Sequence, residues 1–176
     1  MTTEIVFTLT GKDRVGLVDQ VTQVFLDRGG NIQASRMAHL GGEFAMLMLV
    51  AVPSQNVAPL ESDVAQWRAQ GYQVTLTPTQ GALAGVPANS TAYAITVEGA
   101  DHEGIIHEVA HYLAQWGINI EEMTTETMPA PITGQPLFAM SALVIAPATL
   151  QSDWQTQLGN VAQHLNVDIR VNAAHE

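Results

Sequence analysis

Hydrophobic and polar positions follow a regular order along the first half of the chain. Residues 4–11 (EIVFTLTG) alternate and are rich in β-branched side chains, which predicts a strand. Apolar residues recur at helical spacing over residues 15–28, and a Gly-Gly pair ends this predicted helix. The pattern then predicts strands over residues 31–40 and 44–52 joined by a tight turn at Gly41-Gly42, a helix over 57–70 and a strand over 72–77.

The same order of predicted elements occurs twice along the chain. TLTGKDRVGLVDQVTQVFLDRGGNI (residues 8–32) recurs as TVEGADHEGIIHEVAHYLAQWGINI (residues 96–120), and after a short insertion the match resumes through the next strand. Gly, Ala and Pro dominate the segment between the copies. We therefore predict an α+β protein of two tandem ferredoxin-like βαββαβ domains, with antiparallel sheets and helices on one face. The predicted domains cover residues 1–80 and 91–176, joined by a linker over 81–90.

The third strand of each copy is apolar on both of its faces. FAMLMLVAV in the first copy and LFAMSALVIA in the second have few polar residues at alternating positions. A strand of this kind is normally buried on both faces, yet the predicted helices cover only one. We therefore expect the other face to be covered by the second repeat or by another subunit, and we expect a homo-oligomer.

Charge and composition narrow the range of partners. The chain has 6 Lys and Arg residues against 17 Asp and Glu residues, a formal net charge of −11. Nucleic acids and anionic lipids are bound by clustered basic residues, so neither direct nucleic-acid binding nor membrane binding is expected. There is no cysteine, and therefore no disulfide or thiolate metal site. No signal peptide or membrane helix is predicted, so a cytoplasmic location is expected.

HEVAH (residues 107–111) fits the H-E-x-x-H pattern of zinc proteases. Helical spacing places Ile105, Ile106, Val109, Leu113 and Trp116 on one side of the predicted helix and both histidines on the polar side. No third ligand or cleft is recognisable, and a catalytic zinc needs both. The preferred interpretation is a solvated helix face that can bind zinc or nickel adventitiously; a metallohydrolase is the alternative. No metal or cofactor is assigned.

Two G-x-D-x-x-G loops, GKDRVG (residues 11–16) and GADHEG (residues 99–104), join the first strand of each copy to its first helix. A helix N-terminus presents unpaired N–H groups and a positive dipole end, so it can bind a carboxylate. The simpler interpretation is structural, with Asp13 and Asp101 as N-caps and the second glycines allowing close packing.

G-x-N-I ends each first helix, as GGNI and GINI. Gly29 and Gly117 suit the left-handed position after a helix. Asn31 and Asn119 are either turn residues or donors of a carboxamide to a small polar ligand.

With these motifs inside tandem βαββαβ units, the chain resembles a pair of ACT domains. SRMAHLGGEFAMLMLV (residues 35–50) and TTETMPAPITGQPLFAM (residues 124–140) are similar to the glycine cleavage system transcriptional repressor family. The resemblance implies a non-enzymatic regulator that binds an amino acid at a domain or subunit interface and acts through a protein partner, such as a transcription factor. Glycine and serine are the first candidate ligands. The ligand-binding residues that it implies are Asp13, Arg14, Val15, Gly16, Leu17 and Asn31 in the first copy, and Asp101, His102, Glu103, Gly104, Ile105 and Asn119 in the second.

The chain also departs from that family. Val15 and Glu103 stand where proline is frequent, and the charge of Glu103 opposes a ligand carboxylate whereas Arg14 favours one. We therefore predict two unequal loops, the first being the better carboxylate receptor. A scaffold that has lost its ligand is a further alternative. The proline-rich hairpin loop over residues 128–136 is expected to be rigid and exposed, and could contact a partner.

Overall fold

The computed structural model describes residues 1–79, 89–150 and 153–174. The chain divides into two compact units, Met1–Ala82 and Leu83–Glu176. Most of the linker predicted over 81–90 lies outside the described residues, so its exact limits stay a prediction. Within the described part of the chain, no helix is long and apolar enough to cross a membrane.

Each unit has the predicted order of elements. The first contains β1 (Thr2–Lys12), α1 (Leu17–Asp27), β2 (Asn31–Leu40), β3 (Glu43–Pro53), a short 3-10 turn (Ser54–Asn56), α2 (Val57–Ala69) and β4 (Gln73–Thr79). The second contains β5 (Ser90–Ala100), α3 (Ile105–Gln115), β6 (Asn119–Pro129), β7 (Pro136–Pro147), α4 (Asp153–Leu165) and β8 (Val167–Ala173).

Both sheets are antiparallel, with strand orders β2-β3-β1-β4 and β6-β7-β5-β8. The central strand β1 buries every second side chain, and Phe7 meets Phe25 of α1 and Trp67 of α2 edge to face, with ring centroids 5.2 and 5.9 Å apart. These contacts fix both helices on one face of the sheet. The ferredoxin-like α+β fold is confirmed.

The third strand β3 is buried on one face and partly open on the other. Met46, Met48 and Val50 are buried beneath the helices, whereas Leu47, on the opposite face, is 46% exposed. A strand that is apolar on both faces is therefore not fully covered within the described residues. We predicted that the second repeat or another subunit covers this second face. That covering, and the homo-oligomer expected from it, stay predictions.

The two hairpin strands of the second unit are longer than predicted. Met128 and Pro129 belong to β6 and Pro136 begins β7, because the ladder continues up to the Pro129–Pro136 pair. The connecting turn is closed by the N–H of Ala130, which donates to the carbonyl of Gln135 at 2.8 Å. Ile132 at its tip is 98% exposed.

Candidate functional site

The first loop, between β1 and α1, ends in a left-handed glycine. Gly16 is the N-cap of α1 with φ 84°, a backbone conformation that side chains disfavour. Asp13 lies three residues earlier, and its Oδ1 accepts a hydrogen bond from the N–H of Arg14 at 2.8 Å. Gly104 caps α3 in the same way, with φ 94°. The interpretation of Asp13 and Asp101 as N-caps is therefore wrong, because the chain turns into each helix later than predicted.

Close packing does not explain these second glycines either. A Cβ atom at Gly16 or at Gly104 would meet nothing within 4 Å. Glycine is required there by the positive φ angle, and the space in front of each helix N-terminus is open. The first N–H groups of a helix have no intrahelical partner, so this open end presents donors to solvent or to a ligand.

The first glycine of each loop is required for a different reason: a side chain of the neighbouring edge strand lies very close to it. A Cβ atom at Gly11 would lie 2.6 Å from Cδ1 of Tyr72, and one at Gly99 would lie 2.7 Å from Cγ1 of Val167. Glycine therefore leaves room for a side chain at the start of β4 or β8. In the first unit this side chain is aromatic and carries a hydroxyl group.

That hydroxyl group holds Arg14. The Nε atom of Arg14 donates to Oη of Tyr72 at 3.1 Å, and the Tyr72 hydroxyl donates to the carbonyl of Lys12 at 3.1 Å. Nη2 of Arg14 donates to Oε1 of Gln20, in the first turn of α1, at 2.5 Å. A guanidinium group is thereby fixed beside the open N-terminus of α1. Sequence reasoning predicted Arg14 but missed Tyr72, since nothing in the motif shows which residue lies next to Gly11.

The remaining residues predicted in the first loop take different positions. Val15 is fully exposed, whereas Leu17 is 1% exposed and points into the core. The N–H of Leu17 donates to the carbonyl of Arg14 at 3.2 Å, so the next N–H groups, of Val18 and Asp19, are those that α1 presents. The predicted ligand contact of Leu17 stays a prediction, and its side chain packs in the core.

The second loop carries a histidine in the place of Arg14. Nε2 of His102 lies 2.7 Å from the carbonyl of Leu165, and Nδ1 lies 3.0 Å from the carbonyl of Glu103. Hydrogen bonds to the carbonyls of Glu103 and Leu165 raise the pKa of His102 above its ordinary value, with a further contribution from Asp101. The side chain of Glu103 is exposed beside this ring, and Ile105 is buried. The two loops are therefore chemically unequal.

Neither unit brings its predicted asparagine to its loop. By strand register, Asn31 lies level with Glu4 at the start of β1, whereas the loop begins after Lys12 at its end. These levels are roughly 27 Å apart at about 3.4 Å per residue. Asn119 is placed likewise in the second sheet, where its Nδ2 donates to Oε1 of Glu121 at 2.5 Å. Within one unit, the asparagine and the loop do not form a single site.

HEVAH lies on the solvent side of α3, as predicted. His107, Glu108 and His111 are exposed, while Val109 and Leu113 are buried. Ile106 was predicted on the apolar side, but it is 42% exposed, whereas Tyr112, which was not predicted there, is 9% exposed. The Tyr112 hydroxyl donates to the carbonyl of Trp154 at 2.6 Å.

In the described ranges, no group of three or more His, Cys, Asp or Glu residues is placed to hold a metal ion. A catalytic zinc takes three protein ligands, and among the described residues none joins His107 and His111 as the third.

The first unit matches a known family model. Residues 3–76 match the model of the ACT domain family. The glycine cleavage system transcriptional repressor of Escherichia coli (strain K12) is 28% identical over 126 residues. That match covers 72% of this chain and 66% of the relative, just under two thirds of its length.

Solved structures extend the similarity over both units. A crystal structure of an unknown protein from Galdieria sulphuraria matches with a TM-score of 0.87 at 33% identity, and covers 99% of this chain and 100% of that one. A crystal structure of a candidate glycine cleavage system transcriptional repressor matches with a TM-score of 0.70 at 21% identity, over 100% of this chain and 99% of that one. At that identity the second match shows the fold alone.

Proposed function

The chain contains an ACT domain in residues 3–76 and repeats the ACT-type fold in its second unit, and on this premise we propose that it is a non-enzymatic regulatory protein that binds an amino acid. The observation that supports the proposal most directly is the position of Arg14. Its guanidinium group is tied to Tyr72 and Gln20 beside the open N-terminus of α1. A fixed cation next to unpaired N–H groups is suited to a carboxylate.

The first loop offers complementary groups for both charges of an amino acid. The α-carboxylate would lie against the N–H groups of Val18 and Asp19, with Arg14 at its side. The carboxylate of Asp13 is exposed in the same loop and would accept the ammonium group. The relative from Escherichia coli is named for the glycine cleavage system, which favours a small amino acid as the ligand. Glycine and serine are the first candidates.

The second loop is proposed to bind more weakly. Both ring nitrogens of His102 lie within hydrogen-bond distance of backbone carbonyl groups, so the protonated ring directs its N–H groups toward the protein. The exposed carboxylate of Glu103 repels the carboxylate of a ligand at the mouth of the same loop. Asp101 donates its N–H to the carbonyl of Pro136 at 3.0 Å, which ties this loop to the start of β7.

The regulatory role is proposed to operate through a protein partner. The relative from Escherichia coli is named a transcriptional repressor of the glycine cleavage system, yet this chain carries a net charge of −11, which disfavours direct contact with DNA. A transcription factor is the proposed class of partner. Ligand binding would change partner affinity only to the extent that the ligand binds one conformation of the protein more tightly than another.

A thermal-shift panel of the metal-free protein with each common amino acid tests this proposal. A ligand at a hundred times its Kd adds about 2.7 kcal/mol to the free energy of unfolding, which gives a clear rise in melting temperature. A rise with glycine or serine that disappears in Arg14→Gln supports the proposal and locates the site. No rise with any amino acid contradicts it and favours a scaffold that has kept the fold without the ligand.

A further inference from the structure

Two histidines of α3 lie one helical turn apart, away from the loop proposed for the amino acid. His107 and His111 are exposed, their ring centroids are 5.8 Å apart, and their planes differ by only 15°. Residues four positions apart share one face of a helix, so both rings project from the same side of α3. The proposed regulatory function uses neither ring.

The two rings lie on one helix face and can be turned toward a shared metal ion. Because their planes are nearly parallel, both solvent-exposed side chains must rotate before one nitrogen of each ring can point at the same ion at the metal-to-imidazole distance of about 2.0–2.1 Å. Nε2 of His111 lies 3.0 Å from Nε2 of Gln115, and a ring nitrogen that accepts a hydrogen bond from this amide carries the lone pair that a metal would take. We infer that His107 and His111 form a two-histidine chelate for a divalent transition-metal ion.

The ligand chemistry defines the class of ion. Imidazole nitrogens favour Cu²⁺, Ni²⁺ and Zn²⁺, whereas Mg²⁺ and Ca²⁺ take oxygen ligands. Since no group of three His, Cys, Asp or Glu side chains is assembled in the described part of the chain, the ion would keep open coordination positions. We propose no catalysis at this chelate, because a catalytic zinc takes three protein ligands and the pair supplies two.

The first unit supplies an internal comparison. α1 occupies the same position as α3 in the fold, but carries Asp19 and Gln23 where α3 carries the histidines. Gln23 donates from Nε2 to Oδ1 of Asp27 at 2.8 Å, so this face of α1 is engaged in a different contact. One ion per chain is expected, on the second unit.

Calorimetric titration of the metal-free protein with NiCl₂ and with ZnCl₂ tests the chelate, using His107→Ala, His111→Ala and the double variant, with His39→Ala as the matched control. We expect one ion per wild-type chain. Each single variant should weaken affinity by roughly a hundredfold, because the second ligand contributes as an intramolecular one, and the double variant should lose little more. His39→Ala should bind as the wild type does, and MgCl₂ should give no saturable heat.

Single variants that bind as tightly as the wild type would overturn the inference, as would an equal loss in His39→Ala. Binding of wild-type affinity in the double variant would also overturn it and would indicate general attraction of cations to a chain of net charge −11. The pair Asp19→His and Gln23→His supplies the reverse test, because the same spacing on α1 should add a second ion. All these readouts use the metal alone and do not depend on whether an amino acid binds.

Discussion

The hydroxyl group of Tyr72 joins the first loop to the edge of the sheet: it accepts a hydrogen bond from Nε of Arg14 at 3.1 Å and donates one to the carbonyl of Lys12 at 3.1 Å. Tyr72 is 9% exposed, and its ring occupies the space that the missing Cβ of Gly11 leaves. A glycine, a tyrosine and an arginine that are distant in sequence therefore act together. The second unit has Val167 beside its glycine and lacks this arrangement.

Tyr72→Phe should weaken amino-acid binding while leaving the fold intact. The variant keeps the ring but removes the group that orients Arg14, and hydrogen bonds to charged groups contribute about 1.5–3 kcal/mol, so affinity should fall roughly tenfold or more. Calorimetry with glycine and serine measures the change. Tyr112→Phe is the matched control: it also loses a hydroxyl hydrogen bond, but in the second unit, and should lower stability without changing affinity.

Arg14→Gln and Glu103→Gln should have opposite effects on the binding of an amino acid. Removal of the Arg14 charge takes away an attraction for the ligand carboxylate in the first loop, whereas removal of the Glu103 charge relieves a repulsion in the second. Calorimetric titration of both variants, in parallel with the wild type, gives the two affinities. Equal weakening in the two variants would contradict the predicted inequality of the loops.

The two glycines of the first loop should respond differently to alanine. Gly16→Ala meets no atom but forces a side chain into a left-handed conformation, which costs about 1–2 kcal/mol of stability. Gly11→Ala pushes its Cβ against the ring of Tyr72 and should cost about 1–3 kcal/mol. Urea unfolding gives both values. Only Gly11→Ala should also weaken ligand binding through displacement of Arg14, and preserved affinity in that variant would argue against the role of Tyr72.

Asp63→Asn should lower stability at neutral pH and much less in acid. Arg28 donates to both carboxylate oxygens of Asp63, at 2.6 and 2.9 Å, and this hydrogen bonding holds the pKa of Asp63 below its ordinary range. The pair therefore stabilises the fold above the ordinary carboxyl pKa of about 3.9, and this contribution is lost as the pH falls through the depressed folded value.

Urea unfolding of wild type and Asp63→Asn across this pH range measures the difference between the two. Glu61→Gln is the comparison, because the Glu61–Arg68 pair is more exposed and should contribute less. A stability difference for Asp63→Asn that did not narrow toward acid pH would show that the carboxylate charge is not the cause.

His102 should titrate above its ordinary pKa of about 6.5. Carbonyl groups of Glu103 and Leu165 accept hydrogen bonds from its protonated ring and raise the folded pKa. Its contribution to stability is therefore complete below the unfolded pKa and is lost as the pH rises through the raised folded value. NMR titration of the imidazole signals in native protein and in concentrated urea measures both midpoints, and identical midpoints would exclude the predicted contacts.

The order of elements follows from local sequence, because alternation, helical spacing and glycine positions act over a few residues. Residues 8–32 and 96–120 have the same pattern, and the two units that contain them have the same βαββαβ order. The exposed placement of His107 and His111 was predictable for the same reason, since the helical period alone sets the face of α3 on which they lie.

Only the tertiary structure decided how the loops are built. Sequence alone could not show that Tyr72 lies against Gly11, because that contact depends on the register of β1 with β4 across a long stretch of chain. The sequence also allowed Asn31 and Asp13 to contribute to one ligand site. The register of β1, β2 and β3 instead places them far apart along the sheet. Local patterns determine which elements form, but the pairing of distant strands determines which side chains meet.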